Sequence, residues 1–303
     1  MAETIVSVRG FRKRYGSFAA VRDISFEEAR GEIFAILGPN GAGKTSTLES
    51  LEGLRRPDGG CLSVAGIDPS RHTRRLAGVI GVQLQSSALP PAMTVEEAMT
   101  FFCRSHGVRV RGDLVERLGL SGSRRTQYRL LSTGLQRRLA LAVAVAHDPQ
   151  VLFLDEPTAG LDVQSRADLH AMVGELRAGG TTVILATHDM AEAEKLADRA
   201  AILLRGSIAA TGSPRQLTAA GTRKTRISVA SEYGRLIEKE PGFPDAVSQG
   251  KSEGYALYLS DNPGKAVSAI LAWLESAGDA LVDLRVERPS LEERFLEITG
   301  GAK

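Results

Sequence analysis

A glycine-rich segment near the start of the 303-residue chain has the composition and spacing of a phosphate-binding loop. The pattern G-x-x-x-x-G-K-[ST] is met by Gly38, Pro39, Asn40, Gly41, Ala42, Gly43, Lys44 and Thr45, with Ser46 next. Glycines here let backbone N–H groups turn toward an anion at a helix N-terminus, where the helix dipole also favours negative charge. We expect Lys44 to reach the β- and γ-phosphates of a nucleoside triphosphate and Thr45 to ligate Mg²⁺.

Two adjacent acids, Asp155 and Glu156, follow a short apolar run at residues 151–154. A continuously apolar run of this length indicates a central parallel strand that is buried on both faces. A carboxylate at the end of such a strand, facing a phosphate loop, holds Mg²⁺, and we expect Asp155 to do so. Glu156 can accept the proton of an attacking water if it lies within hydrogen-bond reach.

The segments around these residues predict an α/β core. Residues 32–37 form a strand before the loop, residues 44–54 begin a helix, and further buried strands cover 79–84 and 182–186. The strand at 79–84 ends at Gln85, and the strand at 182–186 ends at Thr187-His188-Asp189. Hairpins are predicted for residues 4–9 with 24–28 and for 201–204 with 207–210. From 86 to 147 the pattern becomes helical, with a capping box at Thr94 and Glu97, so we interpret this stretch as a helical insertion.

Tyr15 lies between the strands of the first hairpin. A tyrosine in this position is ordinarily a turn or core aromatic. Because it precedes the phosphate loop by a short distance, its ring could instead stack on adenine.

The helical insertion is strongly basic. Residues 104–138 contain nine arginines against Asp113 and Glu116, a net charge of 9 − 2 = +7. A solvated helical surface explains this charge, and so does a face turned toward anionic lipid or an acidic partner loop.

The bulk composition restricts the choice of partners and compartment. A formal charge of +2 argues against nucleic acid as the main partner. Cys61 and Cys103 have no metal-like spacing, and we expect reduced thiols in a cytosolic protein. No apolar signal segment is present near the N-terminus, and the longest apolar run, residues 139–146, is too short for a membrane helix. A membrane role would therefore need a partner.

Several short motifs together resemble the nucleotide-binding subunit of ATP-binding cassette (ABC) transporters over roughly residues 4–220. They are the segment LSTGLQRR at 131–138, VLFLDEP at 151–157, AGLD at 159–162 and ATH at 186–188. The resemblance implies a P-loop NTPase core with a helical subdomain at about 86–147, and ATP with Mg²⁺ as ligands. By the same resemblance, Tyr15 stacks on adenine, Gln85 is the glutamine that contacts Mg²⁺, Ser132 and Gly134 belong to the signature, Asp162 to the D-loop and His188 to the switch loop.

The signature departs from the family pattern L-S-G-G-Q at two positions, where Thr133 and Leu135 replace glycine and glutamine. Ser132 and Gly134 still supply a hydroxyl and free backbone N–H groups at a helix N-terminus. We therefore expect function to survive. The closed state should be less stable, because the branched side chain of Thr133 restricts the backbone.

The resemblance also implies partners and a mechanism. Two cassettes pack head to tail, so that Ser132 and Gly134 of one chain contact the γ-phosphate held by Lys44 of the other, most simply in a homodimer. Glu156 and His188 then drive hydrolysis, and the loop at Gln85 couples the nucleotide state to a multi-spanning permease. This arrangement places the chain in the cytoplasm, peripheral on the inner face of the membrane.

Residues 221–303 predict a separate small α+β domain with two helices and three or four strands, of ferredoxin-like type. The helical face at Val267, Ile270, Leu271 and Leu274 is expected to pack a small core beside Trp273. The closing segment 289–300 resembles the tail of the drug- and antibiotic-exporting branch of the family. We interpret this domain as an accessory, dimer-stabilising or regulatory unit.

Two other functions compete with transport. A soluble ABC ATPase that acts on ribosomes or DNA usually carries two cassettes or a long coiled coil, and the sequence contains neither. A kinase or GTPase with the same phosphate loop leaves the signature and His188 unexplained.

Overall fold

The computed structural model describes residues 3–85, 89–221, 224–287 and 290–300. Ser86, Thr222 and Pro289, which lie at or near predicted boundaries, are outside these ranges. The chain divides into two compact units, Met1–Pro214 and Arg215–Lys303. Our sequence-based boundary at 220/221 falls six residues later, at the end of a short helix.

The first unit contains nine strands in its described part. They are β1 (Thr4–Tyr15), β2 (Phe18–Ala29), β3 (Ile33–Leu37), β4 (Gly59–Val64), β5 (Ile80–Gln83), β6 (Val151–Asp155), β7 (Thr182–Thr187), β8 (Arg199–Leu204) and β9 (Ser207–Gly212). Its helices are α1 (Lys44–Leu51), α2 (Thr73–Ala77), α3 (Val95–Ser105), α4 (Gly112–Arg117), α5 (Thr133–Ala144), α6 (Val163–Ala178) and α7 (Met190–Leu196), and α8 (Pro214–Ala219) follows at the boundary.

A six-stranded sheet in the order β5-β6-β7-β3-β8-β9 forms the centre of the first unit. All neighbours are parallel except β9, which pairs antiparallel with β8. Every residue of β3, β6 and β7 is buried, as expected for central parallel strands that are covered on both faces. Because parallel strands end at the same edge, the segments that follow β3, β6 and β7 meet there. This architecture confirms the predicted α/β fold class.

A second sheet, in the order β2-β1-β4, is antiparallel. Its hairpin is much longer than predicted, because β1 continues to Tyr15, which pairs with Phe18. Register shifts between Val8 and Phe11 and between Phe11 and Lys13 interrupt the alternation of side chains. The strand predicted from the alternating pattern is therefore too short, and Tyr15 lies at the end of a strand instead of in a loop.

The helical insertion contains α3, α4 and α5, with two 3-10 turns between α4 and α5 at Ser121–Ser123 and Tyr128–Leu130. Thr94 caps α3 through the predicted capping box with Glu97. Apolar side chains of these helices share a core with one face of the central sheet, which includes Met99, Leu139 and Leu152. The helix that carries the signature is thus packed directly on the sheet that carries the acids.

The second unit has its own four-stranded antiparallel sheet. Its described elements are β10 (Thr225–Ser231), α9 (Arg235–Lys239), β11 (Val247–Ser252), β12 (Tyr255–Ser260), α10 (Pro263–Ala277), β13 (Leu281–Glu287) and α11 (Leu291–Gly300). The strand order β11-β12-β10-β13 and the βαββαβ succession are those of a ferredoxin-like fold, as predicted. The sequence pattern missed β11 and α9, since β11 is almost entirely polar and α9 has only five residues.

The core of this unit joins the sheet to α9 and α10. Ile227, Tyr258, Ile270 and Leu274 are buried in it, and Trp273 packs against it as expected. None of the helices in the described ranges is both long and apolar enough to span a bilayer.

Candidate nucleotide-binding and hydrolysis site

The glycines of the phosphate loop allow it to fold tightly between β3 and α1. Gly43 begins α1 with φ 108°, a conformation that favours glycine, and a Cβ atom there would lie 2.7 Å from the carbonyl oxygen of Ala20. A Cβ atom on Gly38 would lie 2.4 Å from the carbonyl oxygen of Leu203. Larger residues at these two positions would push the loop away from the strands that support it.

Lys44 lies in the first turn of α1 with its side chain buried. Its Nζ donates to the carbonyl oxygen of Gly38 at 2.8 Å and lies 3.4 Å from Oε1 of Glu156. A buried ammonium requires such oxygen partners. The loop therefore carries a fixed positive charge beside its backbone N–H groups, which suits a phosphate chain.

Thr45 and Asp155, the two residues expected to hold magnesium, are in contact with each other. The Thr45 hydroxyl donates to Oδ2 of Asp155 at 3.0 Å. Oδ1 of Asp155 is buried and has no hydrogen-bond partner among the described residues, and burial raises the pKa of this carboxyl. The Thr45 hydroxyl and the Asp155 carboxylate offer oxygen ligands, the type that Mg²⁺ prefers, and Oδ1 of Asp155 could bind the ion. The residues therefore fit the ion.

Glu156 and His188 come together from the ends of β6 and β7. Nδ1 of His188 lies 2.7 Å from Oε2 of Glu156, a close polar contact within the site. The Glu156 backbone N–H donates to the carbonyl oxygen of Ala186 at 2.9 Å, and its φ is 49°. A positive φ is costly for glutamate. The fold thus holds this carboxylate in one position, between Lys44 and His188.

An open cleft of about 170 Å³ lies over the phosphate loop. The residues that line it include Tyr15, Phe18, Pro39, Asn40, Gly41, Gly43, Lys44, Thr45, Ser46, Gln85 and Glu156. Tyr15 is 40% exposed and has its hydroxyl 3.3 Å from Oγ of Ser46, so it flanks the cleft.

The sequence analysis did not identify three neighbours of the site, which are Phe18, Glu52 and Arg137. Phe18 is 61% exposed and lines the same cleft, because it pairs with Tyr15 across the hairpin. Glu52, after α1, is buried beside Asp155, and burial raises its pKa to about 8. The hairpin register would have identified Phe18, but no pattern in the sequence indicates that Glu52 is buried.

Gln85 follows β5 and lies in the cleft wall. The structure places it two residues beyond the strand, which ends at Gln83. Arg137 of α5 donates to the backbone carbonyl oxygen of Gln85 at 2.8 Å. The segment after β5 is thereby attached to the signature helix, and Arg137 is the third residue that sequence reasoning missed.

The signature and D-loop residues do not line the cleft, and Ser165 links the two segments to each other. Ser132 caps α5 by accepting from the Leu135 N–H, and Asp162 caps α6 by accepting from the Ser165 N–H. The Ser165 hydroxyl donates to Asp162 at 2.7 Å and lies 2.9 Å from where a Cβ atom on Gly134 would stand. Ser132, Gly134 and Asp162 therefore form one surface apart from the phosphate loop of their own chain.

Comparison with protein families agrees with this geometry. Residues 21–159 match the family model described as ABC transporter. The daunorubicin resistance ATP-binding protein DrrA3 of Streptomyces coeruleorubidus is 36% identical over 99% of this chain and 97% of that protein. The Nod factor export ATP-binding protein I of Ralstonia nicotianae is 36% identical over 98% of this chain and 94% of that protein. The linearmycin resistance ATP-binding protein LnrL of Bacillus subtilis is 30% identical over 98% of each chain.

Solved structures resemble the first unit. The ATP-binding subunit of an ABC transporter superposes with a TM-score of 0.67 and 25% identity, over 72% of this chain and 93% of that chain. The cbiO1 protein of Clostridium perfringens, part of an ABC transporter complex, gives a TM-score of 0.65 and 27% identity over 72% of this chain and 91% of that chain.

Proposed function

The chain belongs to the family of ABC transporter ATP-binding subunits, and we propose that it hydrolyses Mg²⁺–ATP to drive export through a separate permease. Membership of this family makes the chain an ATP-binding ATPase. The alternative, an ATPase that acts on ribosomes or DNA, is not favoured, because the relatives that match this chain over nearly its full length are named as resistance and export proteins.

One observation carries the proposed mechanism. Phosphate-loop and acid residues that are more than a hundred positions apart in sequence meet at one edge of the central sheet: Lys44 with Glu156, and Thr45 with Asp155. His188 completes the group through its contact with Glu156. Phosphoryl transfer to water requires a cationic group for the phosphates, oxygen ligands for the metal ion and an oriented carboxylate. Lys44, the pair Thr45 and Asp155, and Glu156 are groups of these three kinds.

Each side chain then has a distinct role. Lys44 and the loop N–H groups bind the phosphates, and Tyr15 stacks on the adenine ring. A magnesium ion held by Thr45, Asp155 and Gln85 would neutralise charge on the phosphates. Glu156 orients a water molecule and accepts its proton, while His188 fixes the carboxylate through Nδ1 and faces solvent with the rest of its ring.

We propose that a second chain completes the site. Ser132, Gly134 and Asp162 lie outside their own cleft, and two exposed apolar side chains, Leu130 and the 87% exposed Val163, flank them. A head-to-tail dimer would cover these side chains and bring Ser132 and Gly134 to the γ-phosphate of the other copy. A homodimer needs no further component.

The permease and the export direction are likewise proposals. Phe101 on α3 is exposed, and the described part of the chain gives the side chains of Arg124 and Arg125 no partner. They belong to the helical insertion that follows Gln85, where a docked permease would sense the nucleotide. The names of the relatives support export of a drug or antibiotic, for which the chain would act at the cytoplasmic face of the membrane.

Replacing the proposed base tests the mechanism. Glu156→Gln keeps the size of the side chain and its contact with His188 but cannot accept a proton, so ATPase activity should fall at least about hundredfold. ATP binding should persist, and ATP should trap a dimer that sedimentation detects. Glu194→Gln on α7 serves as a matched surface control. Turnover that continues in Glu156→Gln would exclude this residue as the base.

Reversal of the basic face tests the permease. Arg124→Glu with Arg125→Glu should reduce recovery of the complex with the co-expressed permease several-fold, because the attraction to an acidic loop becomes repulsion. The ATPase activity of the isolated chain should not change. Unchanged recovery of the complex would show that these arginines are merely solvated.

A further inference from the structure

The two edges of the sheet in the second unit are unlike. The pairing of β11 with β12 is interrupted between Ser248 and Lys251, and β11 is polar, which are common ways to prevent pairing with another strand. β13 pairs with β10 in one register from Glu287 to Asp283, and its register shift lies between Asp283 and Leu281, near the start of the strand. In the described ranges no strand pairs with the outer edge of β13.

The outer strand β13 also exposes apolar side chains. Val282 is 67% exposed and Val286 is 48% exposed. Val286 lies on the same face of the strand as Leu284, which packs against the core of the unit, because side chains alternate with period two, whereas Val282 lies at a register shift of the strand. An edge strand that is regular from Asp283 to Glu287 and exposes two valines is a surface that favours a further strand.

The opposite face of β13 carries a fixed pair of charges. Nε of Arg285 lies 3.0 Å from Oδ2 of Asp283, and the Tyr255 hydroxyl donates to the same Asp283 oxygen at 2.7 Å. Both charged side chains remain substantially exposed. A partner strand would therefore meet alternating negative and positive charge on this face.

We propose that β13 pairs antiparallel with β13 of a second copy of this chain, about a two-fold axis at Leu284. In this register Asp283 faces Arg285 of the second copy, and Val282 faces its Val286. A register centred on Arg285 would place the two arginines together, and one centred on Asp283 would place the two aspartates together. The Leu284 register satisfies both faces because opposite charges across strands stabilise pairing and like charges oppose it.

This surface is distinct from the nucleotide site. None of its residues belongs to the cleft or to the signature surface, so the pairing does not depend on ATP. A single strand pair covers less area than a stable interface of about 1,000 Å² needs. We therefore expect reversible association in the absence of nucleotide, at micromolar concentrations of protein.

Paired charge reversals test the register. Asp283→Arg places two arginines opposite two arginines, and Arg285→Asp places two aspartates opposite two aspartates. Each full-length variant alone should self-associate at least about fivefold more weakly than the unchanged chain in nucleotide-free sedimentation. An equal mixture should associate as the unchanged chain does, because the arginines of one variant then face the aspartates of the other at both positions. Lys251→Glu on the opposite edge is the control and should have no effect.

The mixture separates pairing from local structure, since both chains in it lack the internal ion pair between positions 283 and 285. A second measurement uses cysteines in a Cys61→Ser background. Opposed residues of antiparallel strands are close enough for a disulfide, so Val282→Cys mixed with Val286→Cys should form a cross-linked dimer on mild oxidation. Each alone should not, because equal positions are about 13 Å apart. An unrescued mixture, or a monomer that yields no specific cross-link, would overturn the proposal.

Discussion

At the scale of single residues, two aromatic rings are the candidates to hold the base of the nucleotide. Tyr15 and Phe18 pair across the hairpin and both line the cleft. Lys13 and Arg55 lie over the Tyr15 ring, with the Lys13 ammonium 5.4 Å from its centre. These contacts hold Tyr15 in place, whereas Phe18 is more exposed.

The fixed ring should carry most of the stacking. Tyr15→Ala should raise the KM for ATP roughly tenfold, because stacking of a base on an aromatic ring contributes about 1–3 kcal/mol. The kcat should change little. Tyr15→Phe keeps the ring and loses only the contact with Ser46, so it should behave as the unchanged chain. If Phe18→Ala raises the KM and Tyr15→Ala does not, the roles of the two rings are exchanged.

At the scale of elements, α5 connects three parts of the site. Its N-terminus carries Ser132, its second turn holds the Gln85 backbone through Arg137, and Arg138 pairs with Asp168 of α6 at 2.6 Å. A shift of this helix would therefore move the signature, the segment after β5 and α6 together. That linkage gives the proposed permease contact a physical route to the nucleotide.

The strand β2 contains a buried acid that should make stability depend on pH. Glu28 is fully buried, and neither carboxyl oxygen has a hydrogen-bond partner among the described residues. Burial, with smaller contributions from Glu32 and Asp198, raises its pKa to about 9. The folded chain binds this proton more tightly than the unfolded chain, whose Glu28 has the ordinary pKa of 4.5. Stability is therefore lost as the pH rises from about 4.5 to about 9.

Removing the charge should remove part of this dependence. Glu28→Gln is expected to be more stable than the unchanged chain by roughly 2 kcal/mol near pH 8 and to differ little near pH 5. Denaturant unfolding at the two pH values measures the difference. The neighbouring Glu27 is exposed, so Glu27→Gln should change stability by less than about 0.5 kcal/mol. Equal effects of Glu28→Gln at both pH values would show that Glu28 is charged in the fold.

At the scale of the whole molecule, the two units have separate hydrophobic cores. Among the described residues, the first unit contains two clusters on the two faces of its central sheet, and the second unit contains one, built from its own sheet and helices. Because no residue is shared between the clusters of the two units, each unit has the apolar contacts that it needs.

Deletion of residues 221–303 should therefore leave nucleotide binding intact. The Kd of the truncated chain for ATP should lie within about threefold of the full-length value, which corresponds to less than about 0.7 kcal/mol. Fluorescence titration measures it, and circular dichroism verifies the fold. Self-association in the absence of nucleotide should disappear, because β13 is removed. Loss of ATP binding by a folded truncation would mean that the second unit is more than an accessory.

The sequence alone determined the fold class, the phosphate loop and the acids, because these depend on local requirements. Gly43 permits a backbone conformation that other residues avoid, and a short apolar run such as β6 has one stable place, in the middle of a parallel sheet. The same local logic identified the capping box of α3 and the strands β10, β12 and β13 of the second unit, but not β11 or α9. Residues 151–154 and 182–186 were read as strands for this reason, and both are buried in the structure.

Only the tertiary structure decided how distant residues meet. The contact of His188 with Glu156, the hold of Arg137 on Gln85 and the burial of Glu28 join or enclose side chains through packing that no sequence spacing encodes. The unpaired edge of β13 likewise depends on strand order, which places β10 on one side of it and no described strand on the other. Local sequence patterns determine whether a segment forms a helix, a strand or a turn. Which other segments pack against it depends on how the entire chain buries its apolar surface.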